Sequence, residues 1–276
     1  MLQGTPGRVR AYYDEHPISE AHVLAAIAGR GLAGSPTADD LFEFDQDHYG
    51  GLAAVDTLAR RAGVGATSRV LDVCAGLGGP ARFVASRRGS AVVALELHAA
   101  RAAGAARLNQ IVKQTRVTVV RADATTLPFQ ARAFDACLSQ EALLHIPDKA
   151  AVLAECHRVL APGGRLAFTD WIAFPRLEDG ERRRLWEWMA ATTLQTLEGY
   201  RALLGRSGFT AIAAEDLSSE WRRIVRARIE RHRALRQERE TRLGGQQYLD
   251  HDRLHTFFVE LIEAGKLGGG RFTATR

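Results

Sequence analysis

Three acidic residues, Asp72, Glu96 and Asp123, each stand at or just beyond the end of a short apolar run, and glycines follow the first of them. The stretch Val70-Leu71-Asp72-Val73-Cys74-Ala75-Gly76-Leu77-Gly78-Gly79 passes from β-branched apolar residues to an acid, then to glycines, then to a helical pattern from Pro80. That order describes a strand, a tight turn and a helix N-terminus. Glycines let backbone N–H groups come close to a ligand, and the helix end adds positive potential, so a nucleotide-like cofactor suits this turn. Further on, Glu141 and His145 follow another apolar run. An imidazole that titrates near neutrality, placed at a ligand-binding edge, is a candidate proton acceptor.

These residues need a frame that brings strand ends together. Strands are predicted at Arg69–Val73, Ala91–Leu95, Val117–Arg121, Phe134–Ser139 and Gly164–Trp171, with helices at Ala81–Arg88, Ala99–Lys113 and Lys149–Leu160 between them. Short apolar strands alternating with helices imply βαβ units and a parallel, doubly wound sheet. Such a sheet gathers its strand ends along one edge, which is where ligands bind. Before it, Ser19–Arg30 and Leu52–Ala62 read as helices, with a loop at Gly31–Asp40. After Trp171 the rhythm changes: helices at Leu177–Thr193, Gly199–Arg206, Leu217–Arg242 and Tyr248–Ala264, a sixth strand at Phe209–Glu215 and a seventh at Gly270–Thr275. The expected organisation is an N-terminal helical cap over 1–62 and a sheet domain over 63–276. Helical insertions near 172–198 and 217–266 read either as a lid or as plain elaboration of the fold.

Composition narrows the class. The chain has 276 residues, 46% of them hydrophobic and 25% charged, which fits a globular enzyme of one large domain. Its net charge of +5 does not by itself indicate a nucleic-acid partner, because the densest arginines, within Trp221–Arg242, alternate with glutamates and lack interleaved aromatics. That stretch reads as a solvated helix face. Cys74, Cys137 and Cys156 are far apart and form no CxxC pair, so they read as small buried hydrophobes, with no metal site expected. No apolar run approaches the ~20 residues of a membrane span and no secretory leader pattern is visible, which makes the cytoplasm the expected compartment.

Two cofactors compete for the glycine turn. Gly76-x-Gly78-x-x-Ala81 fits the dinucleotide fingerprint, with Glu96 about 20 residues on for the ribose. A dinucleotide, however, brings its pyrophosphate to this turn, where Asp72 would repel it. S-adenosylmethionine brings an ammonium and a sulfonium, which a carboxylate favours. Asp123 at the end of the third strand suits the adenine amino group, and Ala161-Pro162-Gly163-Gly164 makes a further turn.

LDVCAGLGG, Glu96, RADATTLPF, FDACLSQEALLHIPD and RVLAPGGRLAFTD, in that order, resemble the motifs of class I S-adenosylmethionine-dependent methyltransferases. The resemblance implies a Rossmann-like seven-stranded sheet with S-adenosyl-L-methionine as donor and S-adenosyl-L-homocysteine as product. It implies that Asp72 and the backbone at Gly76, with Gly78, hold the methionine end. Glu96 would bind the ribose, Asp123 and Ala124 the adenine, and Ser139 and Gln140 would lie beside the sulfonium. The family's first glycine is replaced here by Cys74. Plainer roles exist for each acid: Asp72 as a helix cap, Glu96 as a surface charge, Asp123 as the start of a turn.

FDQDHYGGLAAVDTLA, SQEALLHIPDK, EDLSSEWRRIV and EAGKLGGGRFTA are also similar to segments of the phosphoethanolamine and sarcosine/dimethylglycine N-methyltransferases. This similarity implies a small-molecule amine or amino-acid-like acceptor, with His145 as base, paired with Tyr12 or Tyr13, and Glu141 holding the amine. Trp171 could stack on a methylated ammonium or simply fill the core. The lid stretch Met189–Leu194 lacks the family's phosphate-binding arginine and tyrosines, while Trp186 and Trp188 give the lid an apolar character. Lys266 or Arg271 could still meet an anion. Methylation at oxygen or carbon of a lipophilic scaffold, and a non-catalytic module that binds the donor, are the alternatives. A homo-oligomer is compatible with all of them.

Overall fold

The computed structural model describes residues 5–16, 18–32 and 34–276. The cap expected over 1–62 therefore lies partly outside the described residues, at 1–4, Pro17 and Ala33. Four helices lead in: α1 (Thr5–Asp14), α2 (Glu20–Gly29), α3 (Ala38–Leu41) and α4 (Gly51–Arg61). The alternating part follows as β1 (Arg69–Val73), α5 (Gly79–Arg88), β2 (Ala91–Glu96), α6 (Ala99–Ile111), β3 (Val117–Arg121), β4 (Phe134–Gln140), α7 (Lys149–Val159) and β5 (Leu160–Ala173). The last third holds α8 (Asp179–Met189), α9 (Leu197–Arg206), β6 (Thr210–Asp216), α10 (Ser218–Ala234), α11 (Arg236–Leu243), α12 (Gly245–Glu263) and β7 (Leu267–Thr275).

The strands form one sheet in the order β3-β2-β1-β4-β5-β7-β6. β1 to β5 pair in parallel, as crossover connections require. β7 lies between β5 and β6 and is antiparallel to both, running from Arg165↔Thr275 to Ala173↔Leu267 along β5. The sheet is thus mixed rather than wholly parallel. The chain leaves β6 and enters β7 at the same edge, after α10 to α12, so β7 can only run back down.

Strand alternation divides the core. On β1, Leu71 and Val73 pack with Cys137, Phe168, Phe272 and Tyr200 on one face of the sheet. Val70 packs with Ala136, Leu138, Leu58 and Val84 on the other. Asp72, two residues from Val70, falls on this second face. A third cluster joins Tyr49, Trp171 and Trp221 to Leu185, Phe257 and Phe258, and so ties α8, α10 and α12 to the upper edge of the sheet. The stretch read as a solvated helix breaks at Leu235 into α10 and α11, and α10 is amphipathic, burying Trp221, Val225, Ile229 and His232.

Candidate active site

The turn after β1 is shaped by three left-handed residues: Cys74 (φ 63°), Gly76 (φ 58°) and Gly78 (φ 77°). Glycine adopts this conformation freely; Cys74 does so against its Cβ. The Gly76 N–H donates to Glu96 Oε2 at 2.8 Å, and the His98 N–H donates to Glu96 Oε1 at 2.7 Å. Glu96, at the end of β2, therefore braces the turn. The Asp123 Oδ1 accepts from the Thr125 backbone N–H and hydroxyl, which fixes the loop after β3. All of these but Gly78 border a cavity of about 800 Å³ that runs from Asp123 at one end to Glu141, Trp171 and Phe258 at the other.

At the second end, Glu141 follows β4 in a left-handed conformation (φ 49°), and its Oε1 accepts from the Tyr49 N–H at 2.8 Å. Burial pushes its carboxyl well above the usual range. Tyr49 stacks on Trp221 with centroids 4.6 Å apart and meets Trp171 edge-on at 5.2 Å. Arg228 of α10 lies over the Tyr49 ring, donates to the Asp47 and His48 carbonyls and pairs with the Asp47 carboxylate. The helix read from its charges as solvated thus sends one arginine inward.

His145 sits between these two ends, on a short 3₁₀ turn over Leu143–His145. Its Nδ1 lies 3.1 Å from the Ala190 carbonyl, and Tyr12 and Tyr13 of α1 flank its ring with centroids 5.7 and 5.3 Å away. Burial lowers its pKa to about 4, so the ring is neutral at neutral pH. A neutral ring facing a carbonyl through Nδ1 must carry its proton there, which leaves Nε2 as an acceptor. Burial also pushes the Tyr12 phenol up to about 12 and raises that of Tyr13.

Of the residues singled out from the sequence, Gly76, Glu96, Asp123, Ala124, Gln140, Glu141, His145, Tyr12, Tyr13 and Trp171 all line this cavity. Asp72 lies behind the glycine turn, in a small void with Leu58, Pro80 and Gln140, because strand alternation sends it to that face. Its Oδ2 has no hydrogen-bond partner, and burial raises its pKa to about 7. Gly78 caps α5 and backs onto Arg82, and the Ser139 hydroxyl donates to the Val73 carbonyl inside the sheet. Trp186 is absent from the lining, whereas Trp188, on another face of α8, is part of it. Lys266 is held by Glu178 and Glu181, and Arg271 by Glu215. Asp47, His48, Tyr49, Arg101, Arg228, His251 and His255 line the cavity without having been singled out. Of these, only the first three carried a signal, within FDQDHYGG.

Comparison with known proteins fits this arrangement. Residues 71–168 match the methyltransferase domain family. The 27-O-demethylrifamycin SV methyltransferase of Amycolatopsis mediterranei is 33% identical over 189 residues, covering 66% of this chain and 69% of its own. The chain belongs to the S-adenosylmethionine-dependent methyltransferases. The sarcosine/dimethylglycine N-methyltransferase of Halorhodospira halochloris is 34% identical over 161 residues, 55% of each chain. Haemonchus contortus phosphoethanolamine N-methyltransferase 2, solved with phosphomonomethylethanolamine and S-adenosylhomocysteine, shares the fold. Its TM-score is 0.82 at 21% identity, over 97% of this chain and 60% of that one. The chain spans about half to two thirds of the length of these relatives.

The cavity of this methyltransferase fits the family's donor. The left-handed turn borders it through Cys74, Ala75, Gly76 and Leu77. Glu96 and Asp123 put carboxylates on its wall, suited to accept from hydroxyl and amino groups, and both polar atoms of the Gln140 amide are buried without a partner. Buried polar atoms are normally satisfied, so an amide left open on a cavity wall is suited to a ligand. Among the described residues, no group of three or more His, Cys, Asp or Glu side chains could hold a metal ion.

Proposed function

We propose that this chain transfers a methyl group from S-adenosylmethionine to the amine nitrogen of a small, amino-acid-like acceptor. The observation that carries the proposal is the neutral His145 inside the cavity, with Nδ1 facing the Ala190 carbonyl and Glu141 on the same wall. The bound donor supplies a methyl on a sulfonium, an electrophile that needs no activation. The protein then has two tasks, alignment and proton removal. An ammonium has no lone pair and must lose a proton before it can accept a methyl. His145 Nε2 receives that proton. The burial that keeps His145 a weak base also makes a buried ammonium a stronger acid, so the proton passes between two desolvated groups. Glu141 and the face of Trp171 hold the cation. The N-terminal segment 1–62 acts as a cap through Tyr12 and Tyr13, and α8 with α10 to α12 acts as a lid through Trp188, Arg228 and Phe258.

A second reading has its own support. Trp171, Trp188, Leu254 and Phe258 give the acceptor end an apolar wall, and the name of the Amycolatopsis relative, 27-O-demethylrifamycin SV methyltransferase, points to an oxygen acceptor. A lipophilic hydroxyl would use the same His145. One experiment decides between the readings: a mass-spectrometric screen of amines, amino acids and phenols with a deuterated methyl donor. Labelled product from amines alone supports the first reading. Label on phenols alone overturns it in favour of the second, and no labelled product from any acceptor counts against both.

A further inference from the structure

The cavity holds a cation that the proposed acceptor chemistry does not use. Arg101, in the first turn of α6, lines the cavity beside the glycine turn. Its Nη2 lies 3.1 Å from where a Cβ on Gly76 would stand, so the guanidinium rests against the backbone of that glycine. Its Nη1 donates to the Ile18 carbonyl at 3.1 Å, and its plane lies 4.8 Å from the Tyr13 ring centroid. Its Nε is buried and has no hydrogen-bond partner.

Other arginines drawn into the fold face carboxylates: Arg82 faces Asp45, Arg228 faces Asp47 and Arg271 faces Glu215. Among the described residues no carboxylate forms such a pair with Arg101. A guanidinium half-buried without a counter-ion costs free energy unless an anion joins it. Its planar fork matches a carboxylate with two parallel hydrogen bonds. Glu96 does not fill that role: its two oxygens accept the Gly76 and His98 backbone N–H groups, and it forms no ion pair with Arg101.

We infer that Arg101 is the clamp for the carboxylate of the donor's amino-acid end. The inference rests on the reading of this cavity as a donor site. The donor's amino-acid end is a zwitterion. Its ammonium suits the acidic side of the cavity, at Glu96, and its carboxylate then meets the Arg101 guanidinium beside Gly76. Arg101 also holds α1 through the Tyr13 ring and the Ile18 carbonyl. The same side chain therefore connects the donor's carboxylate to the segment that brings Tyr12 and Tyr13 onto His145.

Calorimetry with two ligands tests this without an acceptor. S-adenosylhomocysteine carries the amino-acid end, and 5′-methylthioadenosine lacks it. Arg101→Met is expected to weaken S-adenosylhomocysteine at least tenfold and to change 5′-methylthioadenosine less than twofold. Arg101→Lys, which keeps the charge but loses the fork, is expected to fall between. In the wild type, decarboxylated S-adenosylhomocysteine is expected to bind at least tenfold more weakly than the parent, a result that needs no variant to fold. Equal loss of both ligands in Arg101→Met, or equal wild-type affinity for the decarboxylated ligand, overturns the inference and leaves the donor site standing. A wild type that binds neither nucleoside overturns the donor site and the inference together.

Discussion

Arg82 and Asp45 form an ion pair buried to 0% side-chain exposure on both sides, directly beneath the glycine turn. The Arg82 guanidinium donates to Asp45 Oδ2, to the Leu77 carbonyl and to Asn109 Oδ1. Arg82 thus pins the turn, α6 and the Asp45–Tyr49 segment to one another. That segment reaches Glu141 through the Tyr49 N–H and α10 through Arg228. Removing one partner of such a pair leaves a buried charge and costs about 3–5 kcal/mol, whereas removing both costs less than the sum. Arg82→Met and Asp45→Ala are each expected to lower stability by that amount, with the double variant clearly less than additive. Urea unfolding of the four proteins checks this, and additive losses would show that the pair is not a unit.

Cys74 occupies a left-handed position where its family's motif has glycine. The strain of such a residue is about 1–2 kcal/mol, and the greater unfolded-state freedom of glycine offsets about 0.4–1 of it. Cys74→Gly is therefore expected to raise stability by about 0.5–1 kcal/mol and to leave S-adenosylhomocysteine affinity equal or higher. Cys74→Val, β-branched at a positive φ, is expected to lower both. Thermal unfolding with and without the ligand measures the pair; a destabilised glycine variant would mean that the thiol packs better than its backbone suggests.

The central strands were legible because apolar β-branched runs ended at acids or glycines. Arg69–Val73 and Val117–Arg121 keep the same bounds in sequence and structure. Strand direction leaves no such trace, so a strand was readable at Gly270–Thr275 but its antiparallel pairing was not. The helix α1 carries no apolar stripe in its residues TPGRVRAYYD to announce it; in the structure its Tyr12 and Tyr13 meet His145. That Trp188 rather than Trp186 lines the cavity was not legible for a related reason. Two residues on a helix are about 200° apart, and sequence alone did not say which face of α8 meets the cavity. Arg101 and Arg228 were invisible among many arginines, since what distinguishes them is only what they touch.

Acid should destabilise the fold through His145. Its folded pKa, about 4, lies below the unfolded 6.5 because burial disfavours the charged ring. Its contribution is full above pH 6.5 and is lost as the pH falls towards 4, since the unfolded chain takes up the proton first. His48 at about 4 and His16 at about 3 share this sign. Asp72, raised to about 7, has the opposite one: its contribution is full below pH 3.8 and is lost as the pH rises to 7. Comparing His145→Gln with the wild type isolates a single group. The stability difference between the two is expected to move by roughly 2 kcal/mol against the wild type from pH 7 to pH 4, less than the full shift because water reaches the cavity. A difference that stays flat over this range would place a solvated histidine of ordinary pKa at position 145.

The base itself is tested by separating binding from turnover. His145→Ala removes the acceptor Nε2 but touches neither Glu96 nor Asp123, so S-adenosylhomocysteine affinity should stay within about twofold. Methyl transfer to whichever acceptor the screen identifies should fall by about 10²–10⁴, the usual contribution of a general base. The two tyrosines then separate. Tyr12 meets the His145 ring tilted and Tyr13 meets it edge-on, while Tyr13 also carries Arg101 on its face. Tyr13→Phe keeps the ring and its cation contact, so any loss of turnover in that variant reports the hydroxyl alone; Tyr12→Phe does the same for the other phenol. The tyrosine whose hydroxyl assists His145 should lose turnover with donor affinity unchanged. Full activity in His145→Ala would remove the histidine from the mechanism and leave alignment as the protein's whole contribution.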